Sequence, residues 1–115
     1  MPLNWRGHDY AAKRLSKRKS NLSNEPLTVF RRYANLSPQI REDLKELAQT
    51  EPKLYDRAWT LIDNTLEDPF KGIGKPEPLK HIGSDIWSRR LSQEHRIVYV
   101  VRNERIDFIQ AKYHY

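Results

Sequence analysis

Arg96-Ile97-Val98-Tyr99-Val100-Val101-Arg102-Asn103-Glu104-Arg105-Ile106-Asp107-Phe108-Ile109-Gln110-Ala111-Lys112-Tyr113 is the stretch that decides the fold of this chain. Its two halves are rich in β-branched and aromatic residues, and Asn103-Glu104 between them is short enough for a hairpin turn. Residues 96–101 and 105–113 therefore read as antiparallel strands. Ile97, Val98, Val100, Ile106 and Ile109 supply sheet packing, while Tyr99 and Phe108 supply core. Upstream, residues 86–91 read as a further strand joined through Ser92-Gln93-Glu94, with Trp87 turned to the core. Residues 79–81 add a short strand. Gly72-Ile73-Gly74-Lys75-Pro76-Glu77-Pro78 is expected to hold no regular structure, because glycine and proline dominate it.

The first half of the chain supplies the cover for that sheet. Residues 27–33, rich in β-branched and aromatic side chains, read as the first strand. Ser37-Pro38 then opens a helix, with serine as N-cap and proline at the first helical position. Ile40, Leu44 and Leu47 recur at helical spacing. Glu51-Pro52 breaks that helix and a second follows, carrying Leu54, Ala58, Leu61, Ile62 and Leu66 on one face, with Trp59 packing inward. Asp68-Pro69 ends it. The order strand, helix, helix, meander describes an α+β domain: two helices packed on one face of an antiparallel, twisted sheet of four to five strands.

At 115 residues the chain is long enough for one domain and one core. It has no cysteine, which excludes disulfides, a thiol nucleophile and the usual zinc sites. His8, His81 and His95 show no metal-site spacing with carboxylates. No apolar run approaches the roughly 18 residues of a membrane span, and residues 1–19 lack the apolar core of a secretory signal, so a soluble cytoplasmic protein is expected. Net charge is +6. Residues 1–27 carry six basic and two acidic side chains, residues 53–70 two and four, and residues 71–115 nine and five. Basic excess at both ends of the chain favours a polyanionic partner. Residues 1–26 read as a basic, partly disordered extension, with the cluster Ser16-Lys17-Arg18-Lys19-Ser20, ahead of a domain at 27–115.

The chain ends in Tyr113-His114-Tyr115. Histidine exchanges a proton near neutral pH, and a tyrosine ring stacks on a nucleobase. Together they suggest chemistry on RNA. Taken with Gly74-Lys75-Pro76-Glu77-Pro78-Leu79-Lys80-His81, Trp87-Ser88-Arg89-Arg90 and Glu94-His95-Arg96-Ile97-Val98-Tyr99, this ending resembles the YoeB/Txe family of bacterial type II toxins, of RelE-like fold. The resemblance is close over residues 63–115 and weaker over 27–62. It implies a ribosome-dependent endoribonuclease that binds the 70S ribosome in the decoding site of its small subunit, the ribosomal A site, and cuts mRNA there. It further implies a YefM/Phd-type antitoxin partner, a capacity to dimerise, no metal and no organic cofactor.

Metal-free RNA cleavage needs a base for the ribose 2′-OH, an acid for the leaving 5′-oxygen, and cations for the phosphorane between them. By resemblance Glu77 is the base, His114 the acid and Arg96 the arginine at the scissile phosphate. A guanidinium suits that task because it stays charged and presents forked donors. Pro76 and Pro78 restrict the backbone on either side of Glu77. Tyr115 is expected to stack on a base beside the cut, next to Tyr113. Lys75 and Lys80 add positive potential. Arg89 and Arg90 point to opposite faces of a strand, so one lines the groove and the other holds ribosomal RNA or an acidic neighbour. Arg90 shares its face with Ile86 and Ser88.

Two departures from the family pattern stand out. Lys112, expected with Tyr113 to bind substrate, replaces the usual arginine before Tyr113-His114-Tyr115, keeping charge and losing bidentate donation. Asp85 replaces the usual glycine ahead of the aromatic–tryptophan pair, in the loop beside Glu77. The alternative function is a non-catalytic module on the same scaffold, either a ParE-like topoisomerase inhibitor or an inactive RNA-binding protein, since fold alone does not fix function.

Overall fold

The computed structural model describes residues 31–113. The expected basic extension at 1–26, most of the expected first strand, and His114 and Tyr115 lie outside the described residues. Strand β1 (Tyr33–Leu36) leads into helices α1 (Pro38–Thr50) and α2 (Pro52–Glu67), followed by β2 (Glu77–Pro78), β3 (Ile86–Arg90), β4 (Arg96–Val101) and β5 (Arg105–Tyr113). The five strands form one sheet in the order β1-β5-β4-β3-β2.

Both helices begin and end where the side chains dictate. Ser37 caps α1, its hydroxyl accepting from the Ile40 N–H at 3.0 Å, with Pro38 next. Glu51 alone separates the helices, its N–H closing α1 on the Leu47 carbonyl while Pro52 opens α2. Ile40, Leu44 and Leu47 of α1 and Ala58, Leu61, Ile62 and Leu66 of α2 are all buried. They pack with Ile97, Tyr99, Ile106 and Phe108 from the sheet into a single core, and Trp59 and Trp87 lie partly buried against it. At roughly 1.5–3 kcal/mol for each large aliphatic or aromatic side chain removed from water, this seam is the main force joining helices to sheet.

Three local expectations are corrected. Arg31 and Arg32, expected within the first strand, precede β1 instead of joining it. Arg31 reaches α2, pairing with Glu67 at 2.7 Å and Asp63 at 3.9 Å. The sheet is mixed, because β1 runs parallel to β5, with Ala34 beside Ile106 and Leu36 beside Phe108; the other four strands are antiparallel. The short strand is Glu77–Pro78 rather than 79–81, pairing with Ser88 and Trp87 of β3. Proline is tolerated there because β2 is an edge strand. Leu79 turns inward, and its N–H holds the Ile86 carbonyl at 2.8 Å.

Strand β5 is irregular where it approaches its end. Val101 pairs with Ile106 and Tyr99 with Phe108, but Val98 pairs with Gln110 and Arg96 with Tyr113, so β5 carries two extra residues opposite β4. Helix α1 satisfies the groups that these bulges release. Asp43 accepts the Ala111 N–H at 2.8 Å, and Ser37 donates its hydroxyl to the Ile109 carbonyl at 2.5 Å. Asp85 adopts the left-handed conformation, φ 65°. The substituted aspartate thus takes a backbone geometry that glycine reaches at no steric cost, and aspartate is among the few other residues that tolerate it.

Candidate active site

Strand register assembles the site on the side of β3 and β4 away from the core. Trp87, Arg89, Ile97 and Tyr99 turn toward the helices, so the alternation of a pleated strand directs Ser88, Arg90 and Arg96 the other way. Glu77 stands beside Ser88, Arg90 beside Arg96, and Arg96 beside Tyr113. The Glu77 carboxylate meets the Arg96 guanidinium at 2.9 Å, and the same Arg96 nitrogen donates to the Ser88 hydroxyl at 3.3 Å. Ser88 is fully buried, and the Arg96 side chain is only 13% exposed, against 46% for Glu77. The cation is thus fixed and largely desolvated, while the carboxylate remains open to solvent.

The loop before Glu77 is equally constrained. Lys75 has φ 50°, a left-handed geometry costing roughly 1–3 kcal/mol for a residue with a side chain, and it precedes Pro76. Lys75, Lys80 and Arg90 are exposed around the Glu77–Arg96 pair in sequence and register. Tyr113, half-buried next to Arg96, is the last described residue, and the chain continues from it into His114 and Tyr115.

Two expected groove residues are placed elsewhere. Arg89 is fully buried on the core side and bonds only to uncharged oxygens, so it neither lines the groove nor holds an acidic neighbour. The pair Arg89-Arg90 is thereby resolved in favour of Arg90 as the exposed member. Lys112 is committed to Glu46 of α1 at 2.6 Å, and that hydrogen bond holds its ammonium pKa above the usual lysine value. Ser88 was not singled out by the sequence as a functional group, although it shares strand parity with Arg90. Among the described residues, no group of three or more His, Cys, Asp or Glu is placed to hold a metal ion. No helix among them is long and apolar enough to cross a membrane.

A family model described as the YoeB-like toxin of bacterial type II toxin-antitoxin systems matches residues 36–115. The chain belongs to this family. The toxin YoeB of Streptomyces coelicolor is 45% identical over 74 residues, covering 64% of this chain and 88% of that protein. The toxin YoeB of Escherichia coli K12 is 43% identical over 79 residues, covering 69% and 94%. Among solved structures, the YoeB dimer of Staphylococcus aureus superposes with a TM-score of 0.69 at 37% identity, covering 74% of this chain and 99% of that one. The YoeB–YefM complex from the same organism superposes at 0.64, with the same identity and coverage. The α+β architecture is accordingly that of a RelE-like toxin. In this YoeB-family chain the sheet register brings Glu77, Arg90 and Arg96 to one face, while Arg89 belongs to the interior.

Proposed function

We propose that this toxin is a ribosome-dependent endoribonuclease that cuts mRNA in the ribosomal A site and so stops translation. One observation carries the reading. The Glu77 carboxylate lies 2.9 Å from Arg96, and Arg96 is paired across the β4–β5 ladder with Tyr113, the residue before His114. A carboxylate and the chain segment leading to an imidazole thus converge on one desolvated guanidinium.

In this mechanism Glu77 takes the proton of the ribose 2′-OH as that oxygen attacks the adjacent phosphorus. Arg96 binds the non-bridging oxygens and gains strength as the phosphorane accumulates charge. His114 protonates the departing 5′-oxygen, leaving a 2′,3′-cyclic phosphate and a 5′-OH. Ser88 holds the Arg96 fork in place. Tyr115 stacks on a base beside the cut, and Tyr113 borders the same site. Lys75, Lys80 and Arg90 bind flanking phosphates. None of these steps requires a metal or an organic cofactor. A YefM/Phd-type antitoxin and a second copy of the chain are the proposed protein partners, supported by the YoeB–YefM complex and the YoeB dimer among its structural relatives. A ribosomal target places the action in the cytoplasm.

The test uses purified full-length protein, programmed ribosomes and naked message. Cuts confined to the A-site codon, dependent on ribosomes and bearing 5′-OH ends, are expected. Uncut message, or equal cutting of naked RNA, overturns the reading.

A further inference from the structure

Arg89 has no place in the chemistry above, yet it is a fully buried charge. A guanidinium remains protonated in proteins, and its donors must be met when it leaves water. Its Nε donates to the Tyr99 hydroxyl at 3.2 Å. Nη1 donates to the Asn64 side-chain oxygen at 2.5 Å and to the Ile73 carbonyl at 3.1 Å. Nη2 donates to the carbonyls of Asp68 at 2.5 Å and Lys71 at 3.0 Å. Three of the five acceptors are main-chain carbonyls of the segment joining α2 to β2. That segment wraps the cation, with its carbonyl dipoles aimed at the charge.

Neighbouring bonds tighten the same wrap. The Asn64 oxygen also accepts the Ile73 N–H at 3.1 Å, and Tyr99 donates its hydroxyl to the Pro69 carbonyl at 2.7 Å. Burial pushes the Tyr99 phenol above its ordinary pKa despite the hydrogen bond and charge of Arg89, so the proton it donates stays in place. The Arg90 N–H holds the Gly74 carbonyl at 2.6 Å. Gly72 passes at φ 130°, where a Cβ would overlap the Asn64 oxygen and crowd Arg89. Only glycine lets the chain come this close.

Glu77 follows Gly74 by three residues, through left-handed Lys75 and rigid Pro76. These two stiff joints transmit the placement of Gly74 to the carboxylate. Strand β2 is two residues long and gives Glu77 little hold of its own. We propose that Arg89 is a positioning residue: an internal cation that sets the path of residues 68–74 and thereby presents Glu77 to Arg96 and to substrate. This rests on the cleavage reading above.

The test compares full-length wild type, Asn64→Ala and Arg89→Ala. Amide exchange over residues 68–76 reads the loop, single-turnover cutting of programmed ribosomes reads the chemistry, and ribosome pelleting reads binding. Asn64→Ala is expected to stay folded, lose exchange protection in this segment and cut about 10-fold more slowly, with ribosome binding held within about twofold. Arg89→Ala is expected to slow by about 100-fold, and added guanidinium ion is expected to restore part of both rate and protection. Asn64→Ala carries the test alone if Arg89→Ala does not fold. A loop that loses protection while cutting proceeds at the wild-type rate overturns the proposal, as does a rate that falls only with the folded fraction. Wild type that leaves programmed message uncut overturns the cleavage reading instead.

Discussion

Glu77 of β2 and Arg96 of β4 form an ion pair at 2.9 Å that spans the intervening strand β3, and the Ser88 hydroxyl accepts from the same Arg96 nitrogen. The pair has an uneven character. Arg96 is largely desolvated and held on two sides, whereas nearly half of the Glu77 side chain meets water. An exposed partner limits such a pair to about 0–1 kcal/mol of stability. In the proposed mechanism its value is therefore geometric: a carboxylate and a forked cation are kept within reach of one phosphate. A phosphate at Arg96 would draw on donors that Glu77 now uses, and the carboxylate would turn to the neighbouring 2′-OH.

Replacing Glu77 by Gln removes the proposed base and keeps its shape. Single-turnover cutting on programmed ribosomes is expected to fall by about 10²–10⁴-fold, and unfolding free energy to change by less than about 1 kcal/mol. Arg96→Lys keeps the charge and loses the fork, with an expected loss of about 10²-fold. Full activity in Glu77→Gln would remove the carboxylate from the mechanism.

Asp43 offers a test of how the end of β5 is held. It is buried, and its carboxylate accepts the bulge N–H of Ala111 at 2.8 Å and the Gln39 amide at 2.9 Å. Asp43→Ala strands a buried N–H and is expected to cost about 2 kcal/mol in urea unfolding. Asp43→Asn retains an acceptor and should cost about half as much. Equal losses in the two variants would show that the Ala111 contact contributes nothing.

The contrast between these elements shows what the sequence could and could not convey. Ile40, Leu44 and Leu47, then Ala58, Leu61, Ile62 and Leu66, mark both helices because burial follows the helical period directly. Strands β4 and β5 are legible from their β-branched and aromatic residues, and β3 from its place between the turn signals that flank it. Strand β2 is not, since Pro76 and Pro78 signal a break locally and only the β3 ladder makes Glu77–Pro78 a strand. Arg31 stays out of the expected first strand and finds partners on α2, a tertiary effect absent from local propensity. Parity told that Arg89 and Arg90 diverge. Which one enters the core depends on Asn64, Tyr99 and loop carbonyls 10 to 25 residues away. The bulges of β5 leave no signature at all in the run 105–113.

Asp85 sits at φ 65°, where an L side chain costs roughly 1–2 kcal/mol and glycine nothing sterically. Part of that gain is offset by the greater freedom of glycine when unfolded. Asp85→Gly is expected to raise stability by about 0.5 kcal/mol and leave the Glu77–Arg96 geometry intact. Asp85→Val, branched at Cβ, should lose about 2 kcal/mol. Thermal unfolding of the two variants in parallel checks both signs, and a stabilised Asp85→Val would refute the conformational argument.

Asp107 gives stability a pH dependence remote from the proposed chemistry. Burial alone would raise its carboxyl pKa, but hydrogen bonds from Arg102, Asn35 and Arg105 outweigh burial and hold it below the usual value. The contacts are 2.9 Å from Arg102, 2.8 Å from Arg105 and 2.9 Å from Asn35. A depressed folded-state pKa means that the contribution is complete above the unfolded value of about 4 and is lost as pH falls through the folded one. Asp107→Asn is therefore expected to be less stable than wild type by about 1–2 kcal/mol at pH 7, with both arginines partly exposed. The gap should close as urea unfolding is repeated at successively lower pH below about 4. A gap of constant size down to the acid limit would mean that the arginines do not distinguish the carboxylate from its neutral form.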